Sequence, residues 1–343
     1  MQMSPRERVM AALRREVPDR VPYIEIQVDQ SLAQQIMGWP RTGAATGGSL
    51  RKNPYTAEEA KAISRKLAMD SVSFVLRAPD FSIMGTGKDG RTFPVDGQIR
   101  SESDLERVQL PDPSRDELYA DAEAFLRGRE DFACFLVTRA GLTQTYLSMG
   151  MDRFFINLLE NRPLVEKLLD LYFDWTSSMI ERASQMGFDF FFTTDDFAFK
   201  TGLFFSPVLF RELMVPRYQR LLKKATIPWA LHSDGNIEPV LDTLLDLGVT
   251  ATHPNEVGAV DIRAIKKRYG KRLCVLGNVD LVLLGNGTPE QVDEEVRALI
   301  RDLGPGGGYI ISSGNSLASY LKPECVRAMS QAIGKYGPYP IEL

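Results

Sequence analysis

The residues whose types and spacing could carry out chemistry are concentrated at residues 227–236, which read IPWALHSDGN. The apolar run from Trp229 to Leu231 predicts a buried strand, and it ends in His232 and Asp234 before a turn containing glycine and asparagine. A strand, a polar tip, a turn and a helix form the arrangement in which α/β enzymes hold catalytic side chains at the carboxyl ends of parallel strands.

His232 and Asp234 are two residues apart, so their side chains point the same way if the strand continues. Such a pair can ligate a metal ion or transfer a proton. Two simpler roles remain open, namely a buried histidine that is hydrogen-bonded to backbone and an aspartate that caps the next helix. The second histidine, His253, precedes Pro254 and is expected to close a loop.

The composition of the chain is that of an ordinary globular protein. Its 343 residues are 44% hydrophobic and 25% charged, with a net charge of −4, which excludes the basic surface of a nucleic-acid binder. The three cysteines are scattered, as expected in a reducing compartment, and Cys134 and Cys274 are predicted to be inert core residues. We find no apolar run of about 18 residues. We therefore expect a cytoplasmic protein with no nucleic-acid or membrane partner.

The chain contains eight strand–helix units of similar spacing. The predicted strands are 20–28, 70–76, 132–138, 188–194, 229–231, 249–252, 273–276 and 309–312. No GxGxxG motif follows the first strand, which argues against a doubly wound dinucleotide-binding domain. The pattern predicts one α/β domain over residues 1–343, a (β/α)8 TIM barrel. An N-terminal helical extension begins at Ser4, a small hairpin insertion at 81–99 follows strand two, and 38–53 is a loop.

In such a barrel the polar residues at the strand tips meet at one mouth. These residues are Glu25, Arg77, Asp80, Arg139, Asp195, Asp196, His232, Asp234, Glu256, Asn278, Asp280 and Ser312. Carboxylates around one imidazole suit a divalent metal or general acid–base catalysis, and they do not suit a substrate that carries many carboxylates. Only one of the adjacent Asp195 and Asp196 is expected to face the mouth.

Three members of this set also have simpler structural interpretations. Glu256 can form a surface ion pair with Lys266 or Arg268. Asp280 can cap the turn after strand seven, and Asn278 can shape that turn.

Several short segments, in order along nearly the whole chain, resemble the uroporphyrinogen decarboxylase superfamily, which also contains corrinoid- and coenzyme M-dependent methyltransferases. The matching segments are 4–9 (SPRERV), 18–22 (PDRVP), 196–202 with Ser206-Pro207 and Pro216, 232–237, 277–280 (GNVD), 287–289 (GTP) and 306–309. The resemblance implies a TIM barrel and makes a homodimer a reasonable expectation. It also favours Asp196 over Asp195 as the residue that faces the mouth.

The first strand separates the two branches of the superfamily. True uroporphyrinogen decarboxylases carry an arginine-rich loop there that binds the porphyrinogen carboxylates, whereas this chain has residues 23–28, YIEIQV. Glu25 would repel a carboxylate that arginine binds in a bidentate manner. The chain therefore resembles the methyltransferase branch more closely.

In the methyltransferase branch, a His-x-Cys motif on strand five and a later cysteine on strand eight bind zinc. This chain has Asp234 in the place of the first cysteine and Ser312-Ser313-Gly314 at the second place. His232, Asp234 and one further carboxylate still form a plausible zinc site, because histidine and carboxylate both ligate zinc. An oxygen-rich site is harder and suits an ether or alcohol oxygen better than a thiolate.

The resemblance thus predicts methyl transfer from an O-methyl donor to a corrinoid carried by a partner protein or to a related acceptor, as in O-demethylase systems. Metal ligands are predicted at His232 and Asp234 and catalytic residues at Asp196, Glu256 and Asp280, with the substrate contacted by Glu25, Arg77, Asp80, Arg139, Phe197 and Asn278. The aromatic run 188–192, with Phe197, Phe199, Phe204 and Phe205, could line a pocket for a methoxyaromatic, although such runs on barrel strands are mostly core.

Two alternatives remain open from the sequence. The first is a metal-independent decarboxylase of a uroporphyrinogen-like or smaller acid, in which Asp196 or Asp80 holds a protonated intermediate and Arg77 and Arg139 bind the carboxylate. The second is a non-catalytic protein that binds a corrinoid or another small molecule.

Overall fold

A curled sheet of seven parallel strands forms the centre of the computed structural model, which describes residues 2–40, 53–87 and 92–342. The strands of this sheet follow the order β1-β4-β5-β8-β9-β10-β11, so neighbours in space are also neighbours along the chain. Helices cover its outer face, and the predicted α/β class is confirmed. Most of the predicted loop 38–53 lies outside the described residues.

In addition to the seven strands of the central sheet, the described residues contain four short strands that form two separate hairpins. The strands are β1 Ser71–Val75, β2 Ser82–Thr86, β3 Thr92–Gly97, β4 Ala133–Thr138, β5 Phe190–Thr194, β6 Ala198–Phe199, β7 Gly202–Leu203, β8 Trp229–His232, β9 Ala251–His253, β10 Cys274–Leu276 and β11 Tyr309–Ile310.

The α-helices alternate with these strands. They are α1 Pro5–Leu13, α2 Gln30–Met37, α3 Ala57–Lys66, α4 Ala120–Arg127, α5 Leu142–Met149, α6 Met151–Glu160, α7 Arg162–Ala183, α8 Pro207–Leu213, α9 Val215–Lys224, α10 Leu241–Leu247, α11 Ile262–Tyr269, α12 Leu281–Asn286, α13 Pro289–Leu303 and α14 Pro323–Tyr336. Short 3-10 helices occupy Glu102–Arg107, Asp116–Leu118 and Glu238–Val240. Among the described residues, none of the helices combines the length and apolar character that a membrane span requires.

The first predicted strand, 20–28, forms isolated bridges and no regular strand, so the predicted count of eight strands is not confirmed. Pro22 has no N–H to donate, and the N–H of Tyr23 donates to the side chain of Asp70 (2.9 Å) instead of a strand. The segment still lies between the two edge strands. The carbonyl of Tyr23 accepts from the Asp70 N–H (2.7 Å), and Tyr23 forms an isolated parallel bridge with Ile311.

Both predicted additions to the barrel are present. The N-terminal helix α1 begins with the expected capping box, in which Ser4 and Glu7 exchange hydrogen bonds between side chains and backbone. Strands β2 and β3 form the antiparallel hairpin predicted after the strand at 70–76. The capping residues and turn residues in the sequence were therefore enough to predict both additions.

Alternation along the strands separates two apolar layers. In β4, Phe135 and Val137 face the interior of the curled sheet together with Phe190 and Phe192 of β5, while Leu136 faces the helices. Val9, Ala12 and Leu13 of α1 belong to the same interior cluster. Helix α1 therefore packs against the inner layer, and the polar strand tips are left at the other end of the strands.

A buried ionic cluster fixes the segment at 20–23 to the start of β1. The Asp70 carboxylate is fully buried and accepts from Arg8 Nη1 (2.5 Å), Arg20 Nη2 (2.8 Å) and the Tyr23 N–H (2.9 Å). Arg8 also pairs with Asp19 (2.6 Å). The cluster joins α1, the bridged segment and the sheet through ion pairs to a carboxylate that water does not reach.

Replacing Asp70 with asparagine is expected to lower the free energy of unfolding by about 3 kcal/mol, because Arg20 loses its anion and buried Arg8 keeps only Asp19. The measurement is urea unfolding followed by circular dichroism. Asp246→Asn is the control, since Asp246 is 76% exposed in its pair with Arg272, and a change within about 0.5 kcal/mol is expected there. Equal small effects of both substitutions would contradict the role given to the cluster.

Candidate metal centre

The register between β5 and β8 brings two carboxylates together. Thr194 pairs with His232, so the chains leave these strands side by side and Asp196 and Asp234 follow at equivalent positions. The Asp234 N–H donates to Asp196 Oδ1 (2.9 Å). The backbone of one loop therefore holds the side chain of the other.

Asp196, His232 and Asp234 form a group with the spacing of a metal site. One ligand atom from each residue lies within 4.8 Å of the others. His232 Nε2 is 3.8 Å from Asp196 Oδ1 and 3.8 Å from Asp234 Oδ1. The imidazole is buried and both carboxylates are partly exposed, so the group has one side open to a ligand.

The electrostatic environment of Asp234 favours a cation. Burial raises the pKa of this carboxyl, and the carboxylates of Asp196 and Glu256 raise it further. His232 and Asn315 act in the opposite direction. Asn315 Nδ2 lies within hydrogen-bonding distance of both Asp234 oxygens (3.0 and 2.8 Å), which fixes the plane of the carboxylate. A bound cation would offset the repulsion among these acids.

The second histidine belongs to this site, and the expectation that His253 only closes a loop is wrong. His253 ends β9 and pairs in register with His232. The two Nδ1 atoms are 2.8 Å apart, and His253 Nε2 lies 3.3 Å from the carbonyl oxygen of Ser313. The chain has only these two histidines, and their contact depends on the register of β8 and β9, which the sequence alone does not give.

Glu256 lies beside the group of Asp196, His232 and Asp234, because its side chain contacts the backbone of Gly235. Its Oε2 accepts from the Gly235 N–H (2.8 Å), and its Oε1 pairs with Lys200 (3.2 Å). The ion pair suggested with Lys266 or Arg268 is not the one formed. Glu256 therefore borders the loop that carries Asp234.

The other predicted residues of strand seven have local roles. Asp280 caps α12, where its side chain accepts from the Val282 N–H (2.8 Å). Asn278 is buried, and its amide donates to the carbonyl of Asn255. Neither residue belongs to the group formed by Asp196, His232 and Asp234.

Asp195 points away from Asp196, as alternation predicts. Its buried carboxylate accepts from the N–H groups of Ala140 (2.5 Å) and Thr143 (3.0 Å), at the start of α5. Burial raises the pKa of this carboxyl, and the backbone donors lower it. Asp195 thus holds the turn after β4, while Asp196 enters the candidate metal centre.

The two arginines and Asp80 lie at the tips of β1 and β4. Arg139 and Asp80 are both buried, and Arg139 Nη1 lies 3.3 Å from Asp80 Oδ2. Ser82 also donates to Asp80 (2.5 Å). Arg77 is partly buried just after β1. Asp80 and Arg139 thus form a pair whose charges offset each other.

Most of the aromatic residues considered for a pocket lie in the core, as runs on barrel strands usually do. Phe188 and residues 190–192 are core, because strand alternation places them in the two apolar layers. Phe197 is fully buried against Phe210, with ring centroids 5.1 Å apart. Phe199 is 52% exposed and contacts Phe204 (4.5 Å). Its carbonyl accepts from Asn236 N–H (2.9 Å), so this pair flanks the Asp234 loop.

Glu25 is buried at the bridged first segment, with both carboxyl oxygens bonded to Ser313. The Ser313 N–H donates to Oε1 (2.8 Å) and its hydroxyl to Oε2 (2.6 Å). Burial raises the pKa of Glu25 to about 8, against the effect of the Ser313 hydrogen bonds. The side chain thus anchors the Ser313 turn, whose carbonyl faces His253.

Comparison with known proteins assigns the chain to a family. A sequence profile of uroporphyrinogen decarboxylase (URO-D) matches residues 4–336. The chain belongs to the URO-D family. Relatives include the uroporphyrinogen decarboxylases of Alkalilimnicola ehrlichii, 26% identical over 97% of this chain and 94% of that protein, and of Methylobacillus flagellatus, 23% identical over 94% and 95%.

Solved structures show how widely the fold of this URO-D family member is shared. A methyltransferase from Methanosarcina mazei superposes with a TM-score of 0.75, at 20% identity, over 98% of this chain and 99% of that one. A B12-independent methionine synthase from Shewanella superposes with a TM-score of 0.54, at 12% identity, over 81% and 86%. At these identities the likeness establishes a TIM-barrel-like fold.

The pKa of Glu25 predicts a pH dependence of stability in this URO-D family member. The folded-state pKa of about 8 exceeds the ordinary 4.5, so the stability that the neutral acid contributes is complete below pH 4.5 and lost as pH rises towards 8. The slope approaches about 1.4 kcal/mol per pH unit. In Glu25→Gln, the free energy of unfolding is expected to fall less steeply from pH 5 to 8 than in the wild type.

Chemical unfolding at several pH values measures this difference, and Glu117→Gln serves as the matched exposed control. Parallel curves for the wild type and Glu25→Gln would contradict a neutral Glu25 in the folded protein.

Proposed function

We propose that this protein is a methyltransferase that moves a methyl group from an O-methyl donor to a corrinoid protein or a related acceptor. The observation that carries the proposal is the group of Asp196, His232 and Asp234 at the tips of β5 and β8. The TIM-barrel-like fold shared with a methyltransferase from Methanosarcina mazei is consistent with it. We expect the protein to act in the cytoplasm.

The donor set fits a divalent metal such as zinc. Two carboxylates and one imidazole are common zinc ligands. With zinc–ligand bonds of about 2.0 Å, tetrahedral ligand atoms lie about 3.3 Å apart. The separations of 3.8 Å from His232 Nε2 are about 0.5 Å longer, a difference that small side-chain rotations can close. Because both carboxylates are partly exposed, one side of the group would stay open to a donor oxygen.

The metal, when bound, would supply Lewis acidity to the oxygen that carries the methyl group. In the transfer, the carbon–oxygen bond breaks, the methyl carbon bonds to the nucleophilic acceptor, and the electron pair stays on oxygen, which then takes a proton. Asp196 and Asp234 hold negative charge at the site, and Asn315 orients Asp234. Glu256, next to Gly235, is the acid–base group proposed to handle the proton.

Phe199 and Phe204 support an aromatic donor. Their rings are 4.5 Å apart at centroid level, and Phe199 is half exposed on the hairpin beside the Asp234 loop. An aromatic ring that carries a methoxy group can stack or pack edge to face on such a pair. A methoxyaromatic is therefore the donor class that this side of the site suits best.

A decarboxylase is the second candidate, because curated relatives over nearly the whole length are uroporphyrinogen decarboxylases. In that case Arg77 and Arg139 would bind substrate carboxylates, and Asp80 or Asp196 would stabilise the protonated intermediate. The pairing of Arg139 with Asp80 offsets the cation that such binding needs. A small-molecule binding protein without catalysis is the third candidate.

The proposed site predicts stoichiometric zinc binding by the purified protein. Elemental analysis and calorimetric titration with zinc are expected to give one site, and His232→Ala is expected to weaken binding by more than about 100-fold, since even outer-shell changes cost 10–100-fold. Asp246→Asn is the control, because Asp246 is an exposed residue of α10 outside the proposed site. Unchanged zinc affinity in a folded His232→Ala protein would remove the proposed ligand.

The proposed reaction predicts methylation of free cobalamin, as a stand-in for the carrier, from a panel of methoxybenzoates and methoxyphenols. Asp196→Asn is expected to lower the rate by about 100-fold or more, because it removes a charged ligand. Absorbance spectroscopy of the cobalamin follows the reaction. Carbon dioxide release without methyl transfer would favour the decarboxylase, and ligand binding without either reaction would favour the third candidate.

A further inference from the structure

The contacts of His253 restrict where its protons are. Its Nε2 faces the carbonyl oxygen of Ser313 at 3.3 Å, and a carbonyl can only accept, so Nε2 carries a hydrogen. Its Nδ1 lies 2.8 Å from Nδ1 of His232, a distance that requires one hydrogen between the two atoms. The remaining question is which of the two rings supplies that hydrogen.

Burial answers the question. If His253 donated from both nitrogens it would be an imidazolium, buried completely between a neutral imidazole and a carbonyl, neither of which is an anion. Such a charge would not be compensated. A neutral His253 with its hydrogen on Nε2 must accept at Nδ1, so His232 donates from its Nδ1.

This arrangement selects between the two neutral tautomers of His232. A neutral imidazole with a hydrogen on Nδ1 has its lone pair on Nε2. His232 Nε2 is the atom that lies 3.8 Å from both carboxylates. A lone pair there is what a metal ion needs, whereas an N–H at that position would exclude it.

The partner of His253 is itself held in place. Glu25 accepts from both the N–H and the hydroxyl of Ser313, and Ser313 forms a parallel bridge with Val279. The Ser313 carbonyl is therefore fixed in its direction towards His253. The contacts form one chain from Glu25 through Ser313 and His253 to His232.

We propose that His253 is a positioning residue that fixes His232 as the tautomer whose Nε2 lone pair faces Asp196 and Asp234, ready to ligate a divalent cation. The inference rests on the proposed metal site, but it assigns a task to a residue that is not itself a ligand. Metal ligands of this kind lose about 10–100-fold in affinity when such a partner is removed.

Histidine-selective nitrogen NMR on the metal-free protein tests the tautomer directly, because the chain has only two histidines and single variants assign them. The expected spectrum has hydrogen on Nδ1 of His232 and on Nε2 of His253. Hydrogen on Nε2 of His232 in the folded protein would overturn the inference, whatever the affinity for metal.

Calorimetric titration with zinc tests the consequence in a matched pair of variants. Asparagine and leucine have nearly the same shape, but only asparagine offers an acceptor in place of Nδ1. His253→Leu is expected to lose about 10–100-fold in zinc affinity and His253→Asn less than about tenfold. Equal affinities in both variants and the wild type would overturn the inference, and equal losses in both would reduce His253 to a packing role and overturn it as well.

The two proposals can fail separately. A wild-type protein that binds no zinc would remove the proposed function, and the NMR spectrum would then decide on the tautomer alone. Zinc binding by the wild type that is insensitive to His253→Leu would leave the metal site standing and remove the role of His253. Thermal unfolding of each variant identifies any that does not fold, in which case the spectrum of the wild type decides.

Discussion

The register of three adjacent parallel strands is the constraint on which the candidate site depends. His232 of β8 is level with Thr194 of β5 on one side and with His253 of β9 on the other. His232 therefore lies between the carboxylate after β5 and the imidazole at the end of β9. Because side chains alternate along a strand, a slip of one residue would turn His232 into the helical layer and separate all three. The apolar layers hold this register, since the same slip would expose the core.

Much of this arrangement can be predicted from the sequence because its causes are local. Apolar runs, capping residues and turns predicted the strands and helices, and polar residues at strand ends predicted Asp196, His232 and Asp234. The contact between His253 and His232 could not be predicted, because it depends on which residues of β8 and β9 are level. The irregular geometry of the first predicted strand has a similar origin. Only the fold brings the Asp70 carboxylate to the N–H of Tyr23.

The buried acids show how one residue type takes different tasks in one fold. Asp70 is compensated by guanidinium groups, Asp195 by the backbone donors of a helix start, and Glu25 by two hydrogen bonds from Ser313, while burial raises the pKa of Glu25 to about 8. Asp234 has weaker compensation from one amide, and two neighbouring carboxylates raise its pKa. An acid in such surroundings either takes up a proton or binds a cation. The partly exposed position of Asp234 makes a cation accessible.

Asp234 offers oxygen at the position where the resemblance to the methyltransferase branch implies a cysteine, and its surroundings suit a carboxylate. A thiolate would need no orienting amide, whereas the carboxylate is oriented by Asn315 and lies beside a second carboxylate. All three cysteines are buried and none belongs to the candidate group. With two oxygens and one nitrogen, the site is harder than a thiolate site and favours oxygen ligands. A cation held by such ligands would polarise an ether oxygen well, and this preference is the reason for proposing an O-methyl donor.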